Sequence, residues 1–187
     1  MPTMPNPTVT TADQLLTLRE AGFRHELVQG QVRRMSPAGW RHGAGGSYLH
    51  EFLTRAVREQ GLGMTFLAET GFLLARNPDT VLAPDISFVR TDRLPTAAAE
   101  GFFPGPPDLA VEVISPGDGR TEIAQKVRRW LDHGTRLVWV VDPVARTLAV
   151  HEPSGSVRLL GTEDTLTGGD VVRGFTVCVR EIFPSDS

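Results

Sequence analysis

The sequence predicts an α/β domain in which a mixed central β-sheet is flanked by helices. Three observations predict it. Residues 109–115, 121–133 and 136–142 read as strand, helix and strand, about the usual length of a βαβ unit. Apolar residues recur at helical spacing between His42 and Glu59. Hairpin signals stand toward each end of the chain, at Gln29-Gly30 and at Pro153-Ser154-Gly155.

The elements follow in order. Thr10-Thr11-Ala12-Asp13 is a helix start, with Leu15, Leu16 and Leu18 behind it and Gly22 as its stop. Residues 25–28 and 31–35 flank Gln29-Gly30 as hairpin strands, and Ser36-Pro37-Ala38-Gly39 breaks the chain. Tyr48, Leu49, Phe52, Leu53, Ala56 and Val57 mark one face of a helix over 42–59, ended by Gly61 and Gly63. Residues 64–69 and 70–74 read as extended, Asn77-Pro78-Asp79 as a turn, and 81–89 as one strand with a proline near its start. Residues 91–107 form a Pro/Gly/Ala-rich excursion, either a flap or plain surface. The βαβ unit then predicts two parallel strands joined by a right-handed crossover. A hairpin over 147–160 and a last strand near 175–179 follow. With no repeat and no linker, residues 10–187 are expected as one domain and 1–9 as a loose tail.

Composition narrows the function. The chain has 187 residues, a net charge of −3 and a pI near 5.9. It therefore lacks the bulk basic footprint of many nucleic-acid binders, though a local basic cleft or a cation-assisted acidic site stays open. The one cysteine, Cys178, leaves no internal disulfide or cysteine zinc cluster, and its apolar neighbours make it core filler. No apolar run approaches the ~18 residues of a membrane span. The start lacks the basic and apolar regions of a signal peptide, so a cytoplasmic location and no membrane partner are expected.

Lys126 is the chain's one lysine, against eighteen arginines. It lies on the helix that follows Leu109-Ala110-Val111-Glu112-Val113-Ile114-Ser115, a strand with a carboxylate among apolar neighbours. An unpaired charge there is expensive, so Glu112 must meet a cation or stay protonated. Glu112 stands about 10 Å before the strand end, and Lys126 about 7.5 Å into a helix running back along it. The two therefore lie at similar depth. Ile123, Val127, Trp130 and Leu131 form the helix's apolar stripe, with Lys126 at its edge. A structural salt bridge explains this pair as well as chemistry does. It does not explain Pro84-Asp85, a carboxylate entering the strand Ile86-Ser87-Phe88-Val89.

Taken in order, Pro84-Asp85, Glu112-Val113-Ile114 and Lys126 resemble the core of PD-(D/E)XK nucleases. The chain is most similar to the Uma-type family of restriction-endonuclease-like proteins. The matching stretches include Glu26-Leu27-Val28-Gln29-Gly30, the helix opening near His42, Pro107 to Pro116, and Trp139 to Pro143. The resemblance covers residues 11–183 and implies a restriction-endonuclease-like fold. It also implies phosphodiester hydrolysis in nucleic acid, most simply DNA, by a homodimer. Asp85 and Glu112 would bind Mg²⁺ or Mn²⁺, with the Val113 carbonyl as a further ligand. Lys126 would stabilise developing charge or orient water. One departure stands out: the motif places its lysine two residues after the glutamate, where this chain has Ile114. Lys126 would supply the ammonium from the next helix instead.

Three further residues are candidates for the second shell or for substrate contact. Glu26 is either an acid near the metal or a solvated hairpin residue. His42 either touches phosphate or is a polar helix-start residue. Arg120 either contacts substrate phosphate or belongs to a plain turn. His50, His133 and His151 lack metal-ligand spacing, and Gly43-Ala44-Gly45-Gly46 lacks the ending of a phosphate loop. Two other functions remain in view: a non-catalytic binding or scaffold module on the same fold, and hydrolysis of a non-nucleic phosphoester.

Overall fold

The computed structural model describes residues 9–18, 23–35, 37–96 and 100–184. In chain order its elements are α1 (Ala12–Thr17), β1 (Arg24–Val28), β2 (Gln31–Met35), α2 (Trp40–Glu59), β3 (Gly63–Leu67) and β4 (Phe72–Ala75). Then come β5 (Thr80–Leu82), β6 (Ile86–Arg90), β7 (Phe103–Pro104), β8 (Leu109–Val113), α3 (Arg120–Asp132) and β9 (Leu137–Asp142). The chain closes with β10 (Thr147–His151), β11 (Val157–Leu160), β12 (Thr165–Thr167) and β13 (Thr176–Cys178).

Local signals set many of these ends. Thr11 caps α1 in a reciprocal box with Gln14. That helix stops at Thr17, so the expected stop at Gly22 lies outside the described residues. Gln29 and Gly30 both take positive φ, 50° and 73°, as a two-residue hairpin turn demands.

The strands form a mixed six-stranded sheet in the order β11-β10-β9-β8-β6-β3, and a five-stranded sheet in the order β2-β1-β5-β4-β7. β12 and β13 make a separate pair. β8 and β9 are parallel, as the βαβ reading requires. Leu49, Leu53 and Val57 of α2 pack on one face of the six-stranded sheet, against Ile86, Val111, Trp139 and Val141. Val127 and Trp130 of α3 pack on the other face with Ala110, Val138 and Val140. Val28, Phe72 and Leu82 of the five-stranded sheet join that second core. All five residues of β8 are buried, because it is covered on both faces.

Several expectations are corrected. The strand expected over 81–89 is two strands in different sheets: β5 pairs with β1 and β4, while β6 pairs with β3 and β8. Ala83-Pro84-Asp85 is the crossing between them, where Pro84 has no N–H to give a ladder. The expected mixed central sheet between α2 and α3 is present, and a second, five-stranded sheet packs with it through a shared core. The excursion over 91–107 carries β7, which pairs in parallel with β4. Cys178 is half-buried at the end of β13, with Sγ 3.4 Å from the Thr162 carbonyl, and so is not core filler. Most of the expected N-terminal tail lies outside the described residues. Among the described residues, no helix is long and apolar enough to cross a membrane.

Candidate active site

Three elements bring acids to one point. β8 alternates faces, so Leu109, Val111 and Val113 join the α2 core while Ala110 and Glu112 face α3. The chain crossing between the two sheets delivers Asp85. The β1–β2 hairpin delivers Glu26. A cleft of about 660 Å³ opens over these residues, lined also by Arg24, Arg33, His42 and Lys126. A cavity of about 390 Å³ continues from it past His42 and Asp85 along α2 to His50 and Glu69. A cavity of about 680 Å³ lies farther along α2, lined by Glu51, Thr54, Arg55, Arg58 and Glu59.

Lys126 is the hub. Its Nζ lies 2.9 Å from Glu112 Oε2 and 3.2 Å from Glu26 Oε1. The other oxygen of Glu112 accepts from the Trp130 indole N–H at 2.7 Å. Glu26 also accepts from the Ala83 amide at 3.0 Å, tying the hairpin to the chain crossing. Asp85 Oδ2 accepts from the Val113 amide at 2.8 Å and lies 3.2 Å from His42 Nε2. Arg24 stands off from Asp85 Oδ1 at 3.7 Å.

Electrostatics separates the acids. Burial pushes the Glu112 carboxyl up to about 7; Asp85 and Glu26 add to this and Lys126 opposes it. Burial also disfavours the Lys126 ammonium, but Glu112 and Glu26 outweigh it and hold the amine above its usual range. Burial pushes Asp85 up, yet the His42 hydrogen bond and charge, the Val113 amide and Lys126 together hold it below the usual value. One partly buried ammonium therefore serves a site of three acids.

Six of the seven residues singled out in the sequence lie at this site. Asp85, Glu112, Lys126, Glu26 and His42 interact as described, and the Val113 backbone adjoins Asp85. Glu26 is buried, which overturns its reading as a solvated hairpin acid; a lysine from another element meets it there. Arg120 is the exception: it opens α3 as an exposed residue outside the cleft lining. Sequence reasoning missed Arg24 and the Trp130 indole as polar partners. Arg24 had a signal, since it shares a strand face with Glu26 at a spacing of two. Trp130 had none, because its place on the apolar stripe accounts for it fully.

Residues 12–180 match the model of the family Uma2, described as "putative restriction endonuclease". No curated protein matches the chain. The fold is similar to the crystal structure of a "putative nuclease belonging to DUF820" from Anabaena variabilis ATCC 29413. The two share 23% sequence identity at a TM-score of 0.78, over 92% of this chain and 96% of that one. At that identity the likeness speaks for the fold: a mixed α/β architecture of nuclease type.

Proposed function

Since the chain belongs to the Uma2 family of restriction-endonuclease-like proteins, we propose that it is a metal-dependent nuclease hydrolysing phosphodiester bonds in DNA, with residues 10–187 acting as one domain. The observation that carries this reading is the convergence of Asp85, Glu112 and Lys126, with Glu26 beside them, on one open cleft.

The donor set suits Mg²⁺ or Mn²⁺. Among the described residues no group of three His, Cys, Asp or Glu is preformed as a metal cluster. Mg²⁺ does not require one, because it keeps several waters and binds through one or two carboxylates. Asp85 and Glu112 would hold the ion, with the Val113 carbonyl as a further ligand. Among the described residues, Asp85 Oδ1 has only the distant Arg24 contact at 3.7 Å, which leaves it lone pairs to give. When bound, the ion would acidify water and offset charge on the phosphate.

The chain's own residues supply the rest. Lys126, held charged by its two carboxylates, is placed to stabilise charge developing on the phosphate. Glu26 shares that ammonium and restricts its position. His42 and the Val113 amide fix the orientation of the Asp85 carboxylate.

A second reading has one observation in its favour. Both Glu112 oxygens already have protein partners, and the side chain is only 5% exposed. A non-catalytic binding module with a structural ion pair would look like this. Calorimetric titration of Mn²⁺ separates the two, using wild type, Asp85→Ala, Glu112→Gln and Lys126→Met, each also assayed on plasmid DNA. The nuclease reading expects binding lost in the two carboxylate variants, binding kept in Lys126→Met, and cleavage lost in all three. A wild type that neither binds Mn²⁺ in the presence of a DNA duplex nor cleaves it leaves the scaffold reading standing.

A further inference from the structure

The two long walls of the cleft carry opposite charge. The β1–β2 hairpin contributes Arg24 and Arg33, while the approach to α3 and its first turn contribute Asp118 and Glu122. Strand register explains the basic wall. Arg33 pairs with Glu26 and Met35 with Arg24, so these side chains share one hairpin face. An arginine across from a buried carboxylate would ordinarily close on it. Here Lys126 and the Ala83 amide already hold Glu26. Arg33 remains exposed, with no hydrogen bond or ion pair among the described residues. Arg24 touches Asp85 only at 3.7 Å. The neighbouring Arg34 also lines the cleft, but its guanidinium lies 4.2 Å over the Phe23 ring. On the acidic wall, Asp118 accepts from the Ser115 amide at 2.7 Å, which orders its negative charge without neutralising it.

We propose that Arg24 and Arg33 bind the phosphates that flank the cleaved bond, so that the DNA backbone lies along the β1–β2 hairpin and away from α3. This rests on the nuclease reading and adds to it the side from which substrate is held. A guanidinium suits the role because its planar fork matches phosphate oxygens two at a time. A local wall is also what this chain needs, since its net charge of −3 gives DNA no general attraction. Asp118 and Glu122 repel phosphate from the other side and so set the polarity of the cleft.

The test is fluorescence anisotropy of a labelled DNA duplex over a salt series, with Ca²⁺ in place of Mg²⁺. Wild type is compared with Arg33→Ala, Arg33→Glu, Glu122→Gln and, as a control for bulk charge, Arg128→Ala on the exposed outer side of α3. Arg33→Ala is expected to weaken binding about five- to tenfold and to make the slope of log Kd against log salt shallower by about 0.9. Arg33→Glu is expected to lose about thirtyfold or more, and Glu122→Gln to gain about twofold. Arg128→Ala should change neither affinity nor slope. Arg33→Glu binding as tightly as wild type overturns the proposal, as does an equal loss in Arg128→Ala. If wild type binds no DNA even at low salt, the nuclease reading falls along with the wall. If it binds and cleaves while the Arg33 variants match it, the wall falls alone.

Discussion

Asp108 and Glu112 are buried acids at opposite ends of β8, and their surroundings differ in sign. Asp108 lies 3.0 Å from the Arg93 guanidinium and 3.7 Å from that of Arg90, and it accepts from the Arg90 amide at 3.0 Å. One carboxylate there meets two cations. Glu112 shares the Lys126 ammonium with Glu26, and Asp85 adds a further negative charge. A surplus of positive charge around a lone acid makes a closed joint between segments. A surplus of negative charge beside an open cleft creates demand for a cation from outside. Burial of an acid alone does not mark a functional site; the local balance of charge and the access to solvent do.

The largest expected effect tests that distinction directly. Glu112→Gln and Asp85→Ala should lower DNA cleavage by about a thousandfold or more, whereas folded Asp108→Asn should cleave within about twofold of wild type. Equal losses in a plasmid-cleavage assay would erase the contrast between the two ends of β8.

Stability should divide the ends next. Lys126→Met leaves Glu26 and Glu112 without their shared cation and should cost about 3–4 kcal/mol in urea unfolding. Arg93→Met should cost only about 1–2 kcal/mol, because Arg90 still faces Asp108 and the Arg93 side chain is 28% exposed to water. A reversed order would mean that the Asp108 joint, and not the candidate site, depends on its cation.

The pH dependence sharpens the same point. The Glu112 carboxyl is raised in the folded protein from 4.5 to about 7, so the folded state binds this proton more tightly than the unfolded chain. Its stabilising contribution is complete below about 4.5 and is lost as pH rises through about 7. The loss should be about 3–4 kcal/mol. Asp85, held low, acts in the opposite sense, losing its contribution as pH falls through its depressed value. Thermal unfolding across this range should therefore show a decline in wild type that flattens in Glu112→Gln and persists in Asp108→Asn. An identical decline in wild type and Glu112→Gln would assign it to a group other than Glu112.

The smallest effect concerns the α2 wall of the cleft. A Cβ added at Gly43 meets nothing within 4 Å, so no packing opposes the gain in helix propensity. Gly43→Ala should stabilise the fold by about 0.5–1 kcal/mol. A lower melting temperature would mean that this wall is less open than its geometry indicates.

Much of the scaffold was legible before any coordinates. Gln29-Gly30 marked a hairpin because few residue pairs accept two successive positive φ values. The rise per residue of the strand and the helix placed Glu112 and Lys126 at similar depth, and they meet. These features depend on the covalent backbone and on side-chain periodicity, which act over a few residues. The resemblance carried the pairing of Asp85 with Glu112 further than composition could.

What tertiary structure alone decided depends on how separate sheets are set against each other. Glu26 could be a solvated hairpin acid or a buried partner until the β1–β2 hairpin was seen to pack beside α3. The segment over 81–89 reads as one strand with a proline near its start, and only its pairing partners divide it between two sheets at Pro84. Arg33 stays exposed on the cleft because Lys126 takes the acid across from it. By itself the sequence determined the hairpin, the βαβ unit and a carboxylate at Glu112 with Lys126 at similar depth. The third acid, the His42 contact and the polarity of the cleft are long-range contacts, and no local period encodes which distant side chain will arrive.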